Sequence, residues 1–279
     1  MRWKSACCLR IRRPTKSDRF WERRLPPDYQ DVLSRAVSPL KFKSYEELYT
    51  LLCQGILIDG KRKWFSLEEQ TGKIRYVISA RELYICWSND EQYFKWKSNM
   101  PESRFPEVTE LLDVCWLDIV GSIDSCKLSP KTTYGAYLIL KFVYNGNYGI
   151  DDGLDKQPAR ISVEVGGTFS SGTAYLRPNR NVHLLRGRLQ YLYRMQVLST
   201  NPSESIQQQQ EEEEEIKVEE DGSTQRVAKP RVDDDWMEIE LGKFFIDGDA
   251  GKVEMRLNET GDHWKCGIII EGIEVRPLD

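Results

Sequence analysis

The chain has 279 residues, with 40 basic and 44 acidic side chains and a formal net charge of -4. That length allows one large or two ordinary domains and a substantial core. The apolar fraction of 40% and charged fraction of 30% are those of an ordinary globular chain, and so small a net charge implies neither a nucleic-acid nor a membrane partner.

The first segment is basic, through Arg2, Lys4, Arg10, Arg12, Arg13, Lys16, Arg19, Arg23 and Arg24. Arg10, Arg12 and Arg13 interrupt what would otherwise be the apolar core of a signal peptide, and no apolar run has the length of a membrane span. The seven cysteines are an odd number with no Cys-x-x-Cys spacing. This predicts a reducing, intracellular compartment without structural disulfides.

Residues 1 to about 60 read as helical. Phe20, Trp21 and Leu25 end one helix and Pro26-Pro27 stops it. Tyr45, Leu48, Leu51 and Leu52 recur at helical spacing, with Ser44 as N-cap and Glu47 completing a capping box.

From Trp64 the pattern changes to strands. Lys73 to Ile78 is one. Leu83, Ile85 and Trp87 alternate with Tyr84 and Cys86, Ser88-Asn89-Asp90 supplies a turn, and Tyr93-Phe94-Lys95-Trp96 returns. Flat rings at a turn beside Asn, Asp, Glu and Gln suit a sugar, whose C–H face meets a ring while its hydroxyls meet amides and carboxylates. The same rings also suit a core. Leu111 to Ile119 is apolar on both faces and reads as one central strand. Tyr134 to Val143, Ile161 to Val165, Asp235 to Leu241, Val253 to Leu257 and Trp264 to Val275 follow. The reading is mainly β, an antiparallel β-sandwich preceded by a short α-helical N-terminal region. Gln207 to Gln210 and Glu211 to Glu215 mark a low-complexity, disordered acidic insert at about 199–231.

Catalytic patterns are scarce. His183 and His263 are the only histidines and have no paired ligand spacing. Gly166, Gly167 and Gly172 form no phosphate loop. The expectation is a binding protein, not an enzyme, with no metal and no cofactor. Trp96, Trp116, Trp236 and Trp264 are read as structural.

The ordered motifs Ile78-Ser79-Ala80-Arg81-Glu82-Leu83 … Trp87 … Tyr93-Phe94-Lys95-Trp96, Val114-Cys115-Trp116-Leu117-Asp118-Ile119, Leu128-Ser129-Pro130-Lys131-Thr132-Thr133-Tyr134, Asp235-Trp236-Met237-Glu238-Ile239-Glu240-Leu241-Gly242 and Trp264-Lys265 … Gly267-Ile268 resemble the plant phloem protein 2 family, the Nictaba-like lectins. Upstream, Ser17-Asp18-Arg19-Phe20-Trp21-Glu22-Arg23-Arg24-Leu25-Pro26-Pro27-Asp28-Tyr29 resembles the end of the F-box in F-box–phloem protein 2 chimeras, and Lys43 to Lys73 resembles their connector. Met1 to Lys16 carries no Leu-Pro opening, so the F-box reads as largely missing. The resemblance divides the chain into residues 1–30 as a remnant of the F-box end, 31–73 as a helical connector and 74–279 as the lectin domain.

It implies a jelly-roll-like lectin that binds N-acetylglucosamine oligomers or N-glycan cores on glycoproteins. It places the stacking rings at Trp87 and Phe94, while Asp90 and Glu91 read as turn residues whose position also makes them candidate hydroxyl acceptors. A carboxylate of the family's site falls on Lys252, which has donors and no acceptor. It also implies the adaptor subunit of a cullin ubiquitin ligase as a partner, the chain then acting as substrate-recognition subunit. A third reading is a protein-binding domain whose sugar site has decayed.

Overall fold

The computed structural model describes residues 16–143, 152–177, 226–231, 235–248 and 250–278. The N-terminal part holds α1 (Lys16–Glu22), α2 (Tyr29–Arg35) and α3 (Tyr45–Gln54). The Ser44 hydroxyl accepts the Glu47 N–H at 3.2 Å, and the Glu47 carboxylate accepts the Lys43 N–H at 2.6 Å. The first bond is the N-cap expected from the sequence, and the second reaches Lys43, one residue before the N-cap, in place of the Ser44 N–H of a capping box. Gly55 stops α3 at φ +89°, where a Cβ would land 1.8 Å from the Trp64 indole.

The helical stretch expected to about residue 60 ends there. Ile56-Leu57-Ile58 forms β1 (Ile56–Ile58), because branched side chains paired against a neighbouring strand outweigh a continued helix. Then come β2 (Lys63–Leu67), β3 (Ile74–Ser79), β4 (Tyr84–Ile85), β5 (Phe94–Ser98), β6 (Glu107–Leu111), β7 (Leu117–Asp124) and β8 (Thr132–Phe142). β9 (Ala159–Val165), β10 (Thr168–Tyr175), β11 (Arg226–Val227), β12 (Lys229–Pro230), β13 (Met237–Ile246), β14 (Lys252–Glu259) and β15 (Ile268–Pro277) complete the order.

Two sheets form the sandwich. The first runs β1-β2-β3-β15-β8-β13-β12, with β6 on β15 and β5 on β6. The second runs β11-β10-β9-β14-β7-β4. Among the described residues every strand pairing is antiparallel except the short β10–β11 pair. Ile119, Leu138, Met255, Leu257, Ile270 and Ile273 are fully buried between the layers, and Leu48, Tyr49 and Leu52 of α3 join the same core. A second cluster lies on the opposite face of the first sheet, where Val77, Val108, Ile139, Trp236 and Ile269 pack with Phe105.

The strand expected from Leu111 to Ile119 is two strands in different sheets. β6 ends at Leu111, residues 112–116 cross between layers, and β7 begins at Leu117. Within this segment only Val114 is buried while Asp113 and Trp116 are exposed, so its alternating apolar residues imitate a central strand in sequence without being buried on both faces. The insert expected at about 199–231 lies outside the described residues as far as 225. Its last residues are ordered instead: β11 pairs with β10, β12 pairs with β13, and the Arg231 guanidinium reaches the buried Glu274 carboxylate at 2.5 Å. His183 also lies outside the described residues.

The segment that resembles the end of an F-box is tied to the connector and the turn before β3. Arg24 Nη2 donates to the Tyr49 hydroxyl at 3.1 Å and to the carbonyls of Glu69 and Gln70 at 3.0 and 2.5 Å. Its guanidinium lies 5.1 Å from the Tyr49 ring centre.

Candidate carbohydrate-binding site

β4 is short and lies at the edge of the second sheet, with Tyr84 opposite Val120 and Ile85 opposite Ile119 of β7. The Cys86 N–H then donates to the Asp118 carbonyl at 2.9 Å, and the chain turns away. Trp87 makes the turn at φ +67° and leaves its indole 56% exposed. Positive φ is costly for a bulky side chain, so the surrounding hydrogen bonds have to hold it. Ser88 N–H donates to the Ile85 carbonyl, and Asp90 N–H donates to the Trp87 carbonyl at 2.9 Å. The Asp90 carboxylate accepts the Gln92 N–H at 2.9 Å, an Asx turn that shapes the return.

Trp96 on β5 braces the turn from the side. Its indole N–H donates to the Ser88 carbonyl at 3.0 Å. The Arg81 guanidinium lies 3.5 Å from the Trp96 ring centre and makes two 2.9 Å bonds to Glu107. The hydrogen bonds from Arg81 hold the Glu107 carboxyl below its ordinary value. Together Arg81, Trp87, Ser88, Asn89, Glu91 and Trp96 line an open depression of about 660 Å³. Asn89 and Glu91 are exposed there. The result is an exposed ring beside an amide, a carboxylate and a guanidinium.

Of the five residues expected at the site, Trp87, Asp90 and Glu91 come together in this depression. Phe94 does not. It is 1% exposed, sits on β5 opposite Leu111 and belongs to the core. The hydrogen bond from its N–H to the Asp90 carbonyl turns its side chain into the interior at the first strand position, so it offers no face to a ligand. Lys252 does not join either. It opens β14 opposite Asp124, five positions along β7 from the partner of Ile85, which is about 17 Å or more at the rise of a strand.

The tryptophans divide differently from the expectation. Trp236 is buried and donates to the Glu102 carbonyl at 3.0 Å, as a structural residue should. Trp116 and Trp264 are each 57% exposed. Both stand in segments outside the pleated strands, where alternation does not assign a face. Arg81 carries no sign of its role in the sequence, because that role is set by the Trp96 ring fifteen positions away on β5. Among the described residues no cluster of His, Cys, Asp and Glu could hold a metal ion, and no helix is long and apolar enough to cross a membrane.

The family model for phloem protein 2 matches residues 73–277. The chain is 42% identical over 268 residues to F-box protein PP2-B15 of Arabidopsis thaliana, covering 94% of this chain and 84% of that one. It is 39% identical over 267 residues to F-box protein PP2-B13 and 38% identical over 266 residues to F-box protein VBF, both from Arabidopsis thaliana. Each of these alignments covers 94% of this chain and 86% of the relative. The chain belongs to the phloem protein 2 family, and its relatives in that family are F-box proteins.

Proposed function

We propose that this chain is a carbohydrate-binding protein that recognises N-acetylglucosamine oligomers or N-glycan cores on glycoproteins in the cytoplasm and/or nucleus. Binding, not catalysis, is its task. The observation that carries this reading is Trp87, a large ring held exposed at positive φ beside Asn89 and Glu91. A structure that keeps a bulky residue in a costly conformation and gives its ring little cover retains it for a ligand. The ring meets the C–H face of a sugar, and the amide and carboxylate meet its hydroxyls and acetamide. Retention of the full chain on chitin beads, with release by soluble chitotriose, is the expected result. Passage of folded protein through the beads would favour a protein-binding domain whose sugar site has decayed.

A second reading is favoured by Arg24, which joins the segment resembling an F-box end to the connector and the turn before β3. In this reading the chain is the substrate-recognition subunit of a cullin ubiquitin ligase. A pull-down with the full chain should then recover the adaptor subunit, and its absence would count against the ligase role.

A further inference from the structure

β13 is paired along one side with β8, from Met237 to Ile246 with one bulge. On its other side β12 takes Met237 and Glu238, and the Arg226 guanidinium donates to the Leu241 carbonyl at 3.3 Å. From Gly242 onward no strand among the described residues pairs with that side. The ladder fixes where the remaining backbone groups point. Leu278 N–H donates to the Thr133 carbonyl, so Thr133 faces β15. Backbone direction alternates along a strand. Tyr134 therefore faces β13, and its partner Phe244 faces back to β8. Lys243 and Phe245 turn their N–H and C=O groups to the open edge, and both side chains are exposed, Phe245 by 52%.

A shelf overhangs this edge. Gly242 brings β13 so close to β9 that a Cβ there would lie 2.8 Å from Val163. β10 is the next strand outward from β9, so it extends past β13 by about one strand spacing, about 4.8 Å. Thr168 and Ser170 of β10 share a face with their partners Val165 and Val163. The two valines are buried, whereas Thr168 is exposed and Ser170 half-buried. Between shelf and edge lies a groove of about 380 Å³, lined by these four residues together with Lys243 and Phe244. Asp247 at its end is paired with Lys131, so Lys243 sets the charge of the edge.

We propose that this groove receives an extended acidic and apolar segment of another protein, added to the first sheet as a strand beside β13. The backbone groups of Lys243 and Phe245 supply the hydrogen bonds of strand addition, and alternate side chains supply the selectivity. An antiparallel segment would set an aromatic residue beside Phe245, a branched apolar one inward beneath Thr168 and Ser170, and a carboxylate beside Lys243. A second copy of this chain fits less well, because its own second sheet would meet the β10 shelf. The groove is independent of the Trp87 site, since β10 and β4 lie toward opposite ends of the second sheet.

The test is fluorescence anisotropy of a fluorescein-labelled peptide amide, Thr-Phe-Val-Glu-Thr, with the full chain, beside versions methylated on single backbone nitrogens. In the antiparallel register Phe and Glu turn their N–H groups to β13, and Val turns its N–H away. Saturable binding is expected. Methylation at Glu should weaken it at least about fivefold, and methylation at Val should change it by less than about twofold. Phe245→Pro removes an outward N–H and leaves the bonds to β8 in place. It should weaken binding at least about fivefold, while Phe245→Tyr should not, with folding of both checked by circular dichroism. Equal affinity for the two methylated peptides would overturn strand addition. Absence of saturable binding would also overturn it and leave Lys243 as a guard against edge pairing. A dimer in sedimentation that Phe245→Pro dissociates would overturn it in favour of a second copy.

Discussion

The Arg81 guanidinium lies 3.5 Å from the centre of the Trp96 ring, and through that ring it supports the turn that displays Trp87. The stack is continued by the two bonds from Arg81 to Glu107, so one cation ties the 3-10 turn Ala80–Glu82 before β4 to β5 and β6. Arg81→Ala should cost about 0.5–1 kcal/mol, the range for a partly exposed cation–π contact, because the Glu107 pair is itself solvent-screened. Urea unfolding should show a lower midpoint with an unchanged slope. An unchanged midpoint would mean that Arg81 does not brace the turn.

Trp87 and Phe94 should separate cleanly into a ring for binding and a ring for the fold. Phe94 is buried against Leu111, so Phe94→Ala should destabilise by about 3–5 kcal/mol. Trp87→Ala removes an exposed ring and should change stability by less than about 1 kcal/mol. Phe94→Trp, which puts a larger ring in the same buried place, should also destabilise, by about 1–3 kcal/mol, through overpacking. Thermal and urea melts of the three variants check the order. A Phe94→Ala variant as stable as Trp87→Ala would contradict the buried placement.

Glu274 predicts a specific pH response. Burial pushes its carboxyl up, but Arg75, Arg231 and Arg276 outweigh burial and hold it below its ordinary value of 4.5. A depressed carboxyl contributes stability that is present above the unfolded value and is lost as pH falls through the folded one. Glu274→Gln removes the buried carboxylate that faces Arg75 and leaves Glu238 alone to serve Arg231 and Arg276, and should cost about 3–5 kcal/mol at neutral pH. The gap to wild type should shrink below about pH 4. Unfolding midpoints at pH 7 and pH 3.5 test this, and a gap of constant size would count against it.

Arg24 should control how firmly the N-terminal segment is held. Arg24→Ala removes three hydrogen bonds to Tyr49, Glu69 and Gln70. Amide exchange in residues 16–25 should accelerate by about 5- to 30-fold, the factor that corresponds to a loss of about 1–2 kcal/mol of local protection. Exchange in β8 and β15, at the centre of the first sheet, should be unchanged. Uniform acceleration would show that the contact belongs to global stability.

Most strands were legible because β8, β9, β13, β14 and β15 carry period-two patterns or continuous apolar runs, and α3 carries a capping signal read directly from Ser44 and Glu47. The break between Leu111 and Leu117 was not legible, since a segment crossing between sheets and a strand buried on both faces have the same composition. At the site, Trp87 with Asp90 and Glu91 could be read from their turn. Phe94 could not be placed, because a ring three residues past a turn residue faces the core or the solvent according to where pairing begins. The exposure of Trp116 and Trp264 depends on contacts made by Val114, Gly153 and Lys265, which no local spacing reveals.

The most direct test of the central claim is calorimetric titration of the full chain with chitotriose, wild type beside Trp87→Ala. Heat of binding in wild type and its loss in the folded variant is the predicted result. Equal affinity in both proteins would contradict the assignment of the sugar site to Trp87.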